Sequence, residues 1–268
     1  MYDSFNRPIT YLRISVTDRC NLRCTYCMPA AGVPPKAHDQ IVSYEQIARL
    51  VAAAATLGIT KVRLTGGEPL VRKGIERLVA MLRGIEGITE LTLTSNGLLL
   101  PLLAPALKRA GLDRVNVSLD TLDPERYRRL TRGGTLAAAL GGIDAALEAG
   151  LTPVKVNMVV IPGENLAEVP QMQEFCRRRG LTLQRIRHYS LTDHATTRLA
   201  IPAERPTPCE ECNRLRLTAD GRLKPCLFSD LEIPVDWNDP AASLRQAIAS
   251  KPRSGVKCTG RGNWQIGG

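Results

Sequence analysis

The chain has 268 residues, 44% of them apolar and 4% aromatic, and its 36 basic against 26 acidic side chains give a formal charge of +10. That is an ordinary globular composition, long enough for one large core or two modest ones, and with neither a basic leader before an apolar run nor an apolar stretch of about eighteen residues the expectation is a cytoplasmic protein that spans no membrane. The positive charge admits nucleic acid, an anionic membrane or a polyanionic small molecule; the lack of an aromatic-rich basic stripe turns the expectation to phosphates on a small ligand.

In chain order, β-rich runs stand at 11–16 (YLRISV), 61–65 (KVRLT), 91–96 (LTLTSN), 114–119 (RVNVSL), 154–160 (VKVNMVV) and 183–189 (LQRIRHY), separated by longer helical patterns. Ser43 and Gln46 read as a capping box that opens the helix YEQIARLVAAAATL. Gly58, Gly111, Gly150 and Gly180 suit left-handed positions where helices end and turn into strands. Six such units predict an α/β chain with a parallel sheet, a partial (β/α)6 TIM-like barrel whose ligands gather at the C-terminal ends of its strands. The expected boundaries are a barrel over 1–189, a linker over 190–208 where periodicity stops, and a small β-containing module over 209–268. Cys176, at the end of a helix, reads as a half-buried thiol.

Six of the eight cysteines fall into two groups, Cys20, Cys24, Cys27 and Cys209, Cys212, Cys226. In a reducing compartment that pattern favours metal or redox chemistry over disulfides. The first group, CxxxCxxC, follows the first strand and therefore lies on the ligand face. Three close thiolates suit an iron-sulfur cubane with one iron left open; zinc would want a fourth ligand, and His38 is eleven residues on in a proline-bearing loop. Gly66 and Gly67 of TGGEP permit close approach of a ligand to the backbone, and Glu68 can bond an ammonium. Thr94, Asn96, Ser118 and Asp120 end strands on the same face, where either ligand contact or helix capping accounts for them.

In the second group a CxxC turn precedes two strand-like runs joined at Asp220-Gly221, a hairpin signal. The expected pairing sets Leu215 opposite Cys226 and so returns Cys226 toward the CxxC, with Arg214 and Arg216 on one face beside the metal. Iron-sulfur and zinc, the latter completed by Cys258 or a histidine, are both open at this point. Lys61 and Arg63 alternate to one side of the sheet, and Arg13 and Lys155 also sit on strands. Because helices cover the outer face of such a sheet, these cations are expected inside, around an anion.

CxxxCxxC after one strand and TGGEP after the next resemble the radical S-adenosylmethionine (SAM) superfamily. With LRISVTDRCNLRCTYCMP, KVRLTGGEPLVRK, LTSNGLLL, RVNVSLDTLDPERY, VKVNMVV, CNRLRLTADGRLKPCLF and the terminal IGG, most of the chain resembles the GTP 3′,8-cyclase family of molybdenum cofactor biosynthesis. The resemblance implies two 4Fe-4S clusters, the first on Cys20, Cys24 and Cys27 and the second on Cys209, Cys212 and Cys226. It implies SAM contacts at Tyr26, Gly66, Gly67, Glu68, Thr94, Ser118 and Arg185, and GTP held by Arg13, Lys61, Arg63, Lys155, Asn157, Arg214 and Arg216. It also implies a tail, Gly267 and Gly268, reaching the active site, and an electron donor such as flavodoxin or ferredoxin; the sequence leaves the oligomeric state open, a homodimer among the choices. The chain departs from the family in its shorter stretch before Cys209, in Arg187 where a glutamate is expected, and in Cys258. A Cys258 thiolate on the fourth iron of the second cluster would make that cluster an electron relay in a related oxidoreductase or peptide- or metabolite-modifying enzyme. The remaining alternative is a zinc-dependent nucleic-acid binder.

Overall fold

The structure is a computed structural model and describes residues 1–189, 191, 203–204 and 206–267. Six strands lie side by side in parallel: β1 Tyr11–Ser15, β2 Lys61–Thr65, β3 Glu90–Ser95, β4 Arg114–Ser118, β5 Lys155–Val160 and β6 Thr182–Arg187. Helices α1 Tyr44–Thr56, α2 Ile75–Arg83, α3 Leu100–Arg109, α4 Pro124–Thr131, α5 Leu136–Glu148 and α6 Val169–Arg178 occupy the connections. The expected α/β barrel arrangement is therefore present. The sheet continues past its first strand, because β7 Arg214–Leu217 docks parallel on β1, and β8 Arg222–Lys224 and β9 Ile233–Pro234 extend it antiparallel. α7 Pro240–Ala249 and the short α8 Asn263–Ile266 follow.

Alternation along each strand divides the sheet into an apolar outer face and a polar inner one. Leu12, Ile14, Val62, Leu64, Leu91, Leu93, Val115, Val117, Val156 and Met158 are wholly buried. They pack in one core with the apolar stripes of the helices, such as Ile47, Leu50 and Val51 of α1 and Leu78, Val79 and Leu82 of α2. Each side chain of this kind contributes about 1.5–3 kcal/mol on burial, so the outer face fixes the sheet and leaves the inner positions free for polar residues. Cys176 belongs to this core, 2% exposed rather than half-buried, because α6 turns it inward.

The local signals hold. Ser43 Oγ accepts from Gln46 N at 3.1 Å while Gln46 Oε1 accepts from Ser43 N at 2.8 Å, and the four helix-ending glycines all have positive φ. The hairpin register is corrected by one residue: Arg216 pairs with Lys224 and Leu217 with Leu223. Gly221 N donates to Thr218 O at 3.1 Å and Thr218 N to Arg222 O at 2.9 Å, with Gly221 at φ 78°. The loop is thus three residues, a turn closed by a left-handed glycine, rather than the two-residue turn that Asp-Gly suggests.

One close approach holds the loop after β3 against α5. A Cβ on Gly142 would stand 2.1 Å from the Gly97 carbonyl oxygen, whereas one on neighbouring Gly141 would meet nothing within 4 Å. Alanine in place of glycine inside a helix is worth about 0.8–1 kcal/mol, while overpacking against backbone costs about 1–3 kcal/mol. Gly141→Ala is therefore expected to raise and Gly142→Ala to lower stability in urea titrations; equal shifts of the two midpoints would remove this contact from the account.

Candidate active site

Two cavities lie on the inner face of the sheet. The first, about 200 Å³, opens among the loops at the C-terminal ends of the strands and is bordered by Cys20, Cys24, Cys27, Glu68, Thr94 and Ser118. Gly67 N donates to Thr17 O and Glu68 N to Arg19 O, at 2.9 and 2.8 Å, which fastens the turn after β2 to the segment leading into Cys20. A Cβ on Gly66 would stand 2.5 Å from the Thr17 carbonyl oxygen, and one on Gly67 2.3 Å from that of Arg19. The glycines are thus required by loop-on-loop contact, a nearer cause than the ligand approach expected from sequence.

Glu68 is 1% exposed and accepts from Leu70 N (3.0 Å), Ser95 Oγ (2.9 Å) and Asn96 N (2.7 Å). Burial nevertheless pushes its carboxyl up to about 7. Tyr26 donates to Asp120 Oδ2 at 2.5 Å, and Asp120 Oδ1 accepts from Val159 N at 2.8 Å; burial lifts the Asp120 carboxyl to about 6. Thr94 Oγ1 is buried, borders the cavity and has no partner among the described residues. Asn157 borders it too, its Oδ1 accepting from Asn116 Nδ2 at 2.9 Å. The tail arrives as well: Gly267, at φ 72°, lies so close to β2 that a Cβ would stand 2.1 Å from Thr65 Oγ1. Gly268 lies outside the described residues.

Burial raises the thiols of Cys20, Cys24 and Cys27, the last to about 12, and each group adds its charge against another, Asp120 opposing Cys24 and Cys20 opposing Cys27. Three partly buried thiols that resist ionising alone form the donor set of a cationic iron centre, which would reverse that balance. With the unpartnered Thr94 hydroxyl beside them, these residues fit a cluster and a polar cofactor. Among the described residues no three His, Cys, Asp or Glu side chains close on a single ion, so the fit rests on the donor set and its surroundings rather than on a preformed cage.

The second cavity, about 380 Å³, lies beneath the first and shares Arg13, Asn157, Ile186 and Tyr189 with it. Arg13, Lys61, Arg63, Arg114, Lys155, Arg214 and Arg216 line it, against Glu90 and Glu211 as the acidic residues among those described. Strand register explains the crowding, because Arg216, Arg13 and Arg63 stand level on β7, β1 and β2. Burial, with Arg13 next to both, lowers Arg63 and Arg216 to about 10. Arg63 Nε donates to Thr92 Oγ1 at 3.1 Å, and the Arg63 and Arg214 guanidiniums lie 5.8 and 5.7 Å from the Tyr11 ring. Lys61 pairs with Glu90 at 3.2 Å, and Arg114 pairs with the same carboxylate. Arg216 Nη1 and Arg214 Nε are buried with no partner among the described residues. A row of like charges with unsatisfied donors is built for a polyanion.

All the sequence-selected cations on β1, β2, β5 and β7 thus meet in one cavity. Arg114 was missed, although its place two residues before Asn116 on β4 gives it the inner parity. Arg185 stands apart: alternation sends Gln184 and Ile186 inward, and Arg185 binds Glu204 Oε1 through Nε at 2.8 Å.

Beside this cavity Cys212 stands two residues before the start of β7 and Cys226 two after the end of β8, with Cys209 in the preceding turn. Lys251 Nζ stands 3.4 Å from Cys212 Sγ, and Arg7 Nη1 donates to the Cys209 carbonyl at 2.7 Å. Cys258 is wholly buried in an apolar group with Leu191, Leu227, Phe228 and Ile266, against which Cys226 packs. Its Sγ lies 3.7 Å from Lys224 Nζ.

A family model described as the radical SAM superfamily matches residues 14–176, and one described as Molybdenum Cofactor Synthesis C matches 159–252. The chain is 45% identical over 305 positions to a GTP 3′,8-cyclase of Pelotomaculum thermopropionicum, covering 94% of each. It is 39% identical over 320 positions to one of Alkaliphilus oremlandii, covering 100% of each. Since both full chains align, the surplus of those 320 positions over 268 residues falls in internal gaps of this chain, as the shorter length expected from sequence requires. A solved structure titled native anSMEcpe with bound AdoMet and Kp18Cys peptide shares the fold at a TM-score of 0.65 and 14% identity, over 92% of this chain and 82% of that one.

Glu68 makes the cofactor-free chain sensitive to pH. Its ordinary value is 4.5 and its folded one about 7, so between these pH values the unfolded chain releases a proton that the folded chain keeps, and this contribution to stability is lost as pH rises. Relative to wild type, Glu68→Gln is expected to gain up to about 3 kcal/mol between pH 4.5 and 7; parallel stability curves in urea would overturn the assignment.

Proposed function

The chain belongs to the radical SAM superfamily and, within it, to the GTP 3′,8-cyclase family, and on that premise we propose that it converts GTP to (8S)-3′,8-cyclo-7,8-dihydroguanosine 5′-triphosphate, the first step of molybdopterin biosynthesis. The observation that carries the proposal is the pairing of a three-thiol cavity with a seven-cation cavity through common walls. Bound on Cys20, Cys24 and Cys27, a 4Fe-4S cluster would, with SAM and one electron from the donor, supply a 5′-deoxyadenosyl radical for taking a hydrogen atom from the ribose 3′ carbon; bonding of that carbon to guanine carbon 8 leaves an unpaired electron on the base, which a second electron and a proton at nitrogen 7 would quench to the dihydro product.

The chain's own residues bind and orient. Lys61, Arg63, Arg214 and Arg216 receive the triphosphate, with Tyr11 holding two of the guanidiniums by its ring. Arg13 and Asn157, common to both cavities, stand where substrate and cofactor meet. Thr94 and Ser118 offer hydroxyls to the cofactor, and the Asp120 carboxylate fixes Tyr26 over it. Gly267 and the buried Ile266 exclude water from the β2 side. Cys209, Cys212 and Cys226 hold the second cluster, next to the arginines. Cys258, engaged with Lys224 and Asp230, is read as an interior thiol, which leaves that cluster three ligands and an open iron for the guanine ring. A one-electron donor of the flavodoxin or ferredoxin class completes the system.

Cys24→Ala is expected to abolish deoxyadenosine release under strong reductant while retaining GTP binding; undiminished release would remove the radical assignment. Arg216→Met exchanges a buried charge facing Arg13 for a side chain of similar volume, so the ligand-free melting temperature should hold or rise. GTP affinity should fall by about 2–3 kcal/mol, the worth of a buried charged hydrogen bond. Unchanged affinity in calorimetry would mean that the triphosphate lies elsewhere.

A further inference from the structure

Lys251 follows α7 and is 3% exposed. A lone buried lysine is costly unless its ammonium is fully engaged, and here the engagement is specific. Nζ donates to Cys212 Sγ at 3.4 Å, to the Arg214 carbonyl at 2.8 Å and to the Pro225 carbonyl at 2.8 Å. All three partners are acceptors, so every N–H of the ammonium is used. They also belong to the two arms of chain that must meet at the second cysteine group: Cys212 with the first residue of β7 on one, and the residue before Cys226 on the other. The Cys209 end of the first arm is held the same way. Arg7, 5% exposed, donates to the Cys209 carbonyl at 2.7 Å and to the carbonyls of Pro252 and Arg253, next to Lys251, at 2.7 and 3.0 Å.

We propose that Lys251 is a positioning and potential-setting residue of the second iron-sulfur site, tying the Cys212 and Cys226 arms together and donating a charged hydrogen bond to the Cys212 sulfur. The inference rests on the assignment of a cluster to Cys209, Cys212 and Cys226 made above. Reduction adds negative charge to a cluster whose thiolates are already anionic, so a fixed cation with an N–H on one sulfur favours the reduced state and raises the reduction potential.

The test uses the full chain reconstituted anaerobically with iron and sulfide, titrated potentiometrically with electron paramagnetic resonance detection. In Lys251→Met the second cluster's midpoint is expected to move to more negative potential while the first cluster's stays in place, and Lys251→Arg is expected to recover most of the shift. A wild-type midpoint in Lys251→Met carrying the iron of both clusters would overturn the inference and leave the cluster assignment standing. Wild-type protein that binds iron for only one cluster would overturn both. Where Lys251→Met fails to load, wild-type protein grown on ¹⁵N-lysine decides: hyperfine coupling between a lysine nitrogen and the second cluster is expected, and its absence from the loaded protein would overturn the proposal.

Discussion

The inner face of the sheet carries a row of arginines in a cavity where the acidic residues, among those described, are Glu90 and Glu211. Arg216, Arg13 and Arg63 stand level on three adjacent strands, and neighbouring strands are only about 4.8 Å apart, so their mutual repulsion is built into the backbone register. The outer face makes this tolerable. Its unbroken apolar layer under the helices fixes the strands independently of what the inner positions hold. The chain thereby places strain where a polyphosphate can relieve it, and the location of the cavity, its depth and its sign follow from one register.

The second cysteine group depends on the same register from the other side. Because β7 docks on β1, residue for residue from Tyr11 against Arg214, the turn carrying Cys209 and Cys212 is held at the beginning of β1, whereas Cys20 follows its end. The two thiol groups are separated along a shared strand pair, with the cationic cavity between them. Buried cations then fasten what the sheet cannot reach, Arg7 at Cys209, Lys251 at Cys212 and Lys224 beside Cys258.

Much of this was legible in the sequence because it is local or periodic. Strand positions, the Ser43 cap, the left-handed glycines and the inward parity of Lys61 and Arg63 each depend on a few neighbouring residues. The docking of β7 on β1 joins segments about two hundred residues apart in number, and nothing in RLRL declares a parallel partner. The hairpin slipped by one residue because Asp-Gly serves two turn types. Arg185 was placed by motif although its parity with Gln184 points it outward, and Arg114 was passed over although its parity points it inward. Lys224 and Lys251 look like surface lysines in sequence; only the acceptors gathered around each reveal them as interior.

The four residues common to both cavities have a consequence for ligand traffic. Arg13, Asn157, Ile186 and Tyr189 each present one side to either chamber, so a molecule that moves any of them in one chamber alters the shape and field of the other. Reciprocity then makes the two occupancies energetically interdependent. A ligand that shifted Arg13 in one chamber would thereby change the residence of whatever occupied the other.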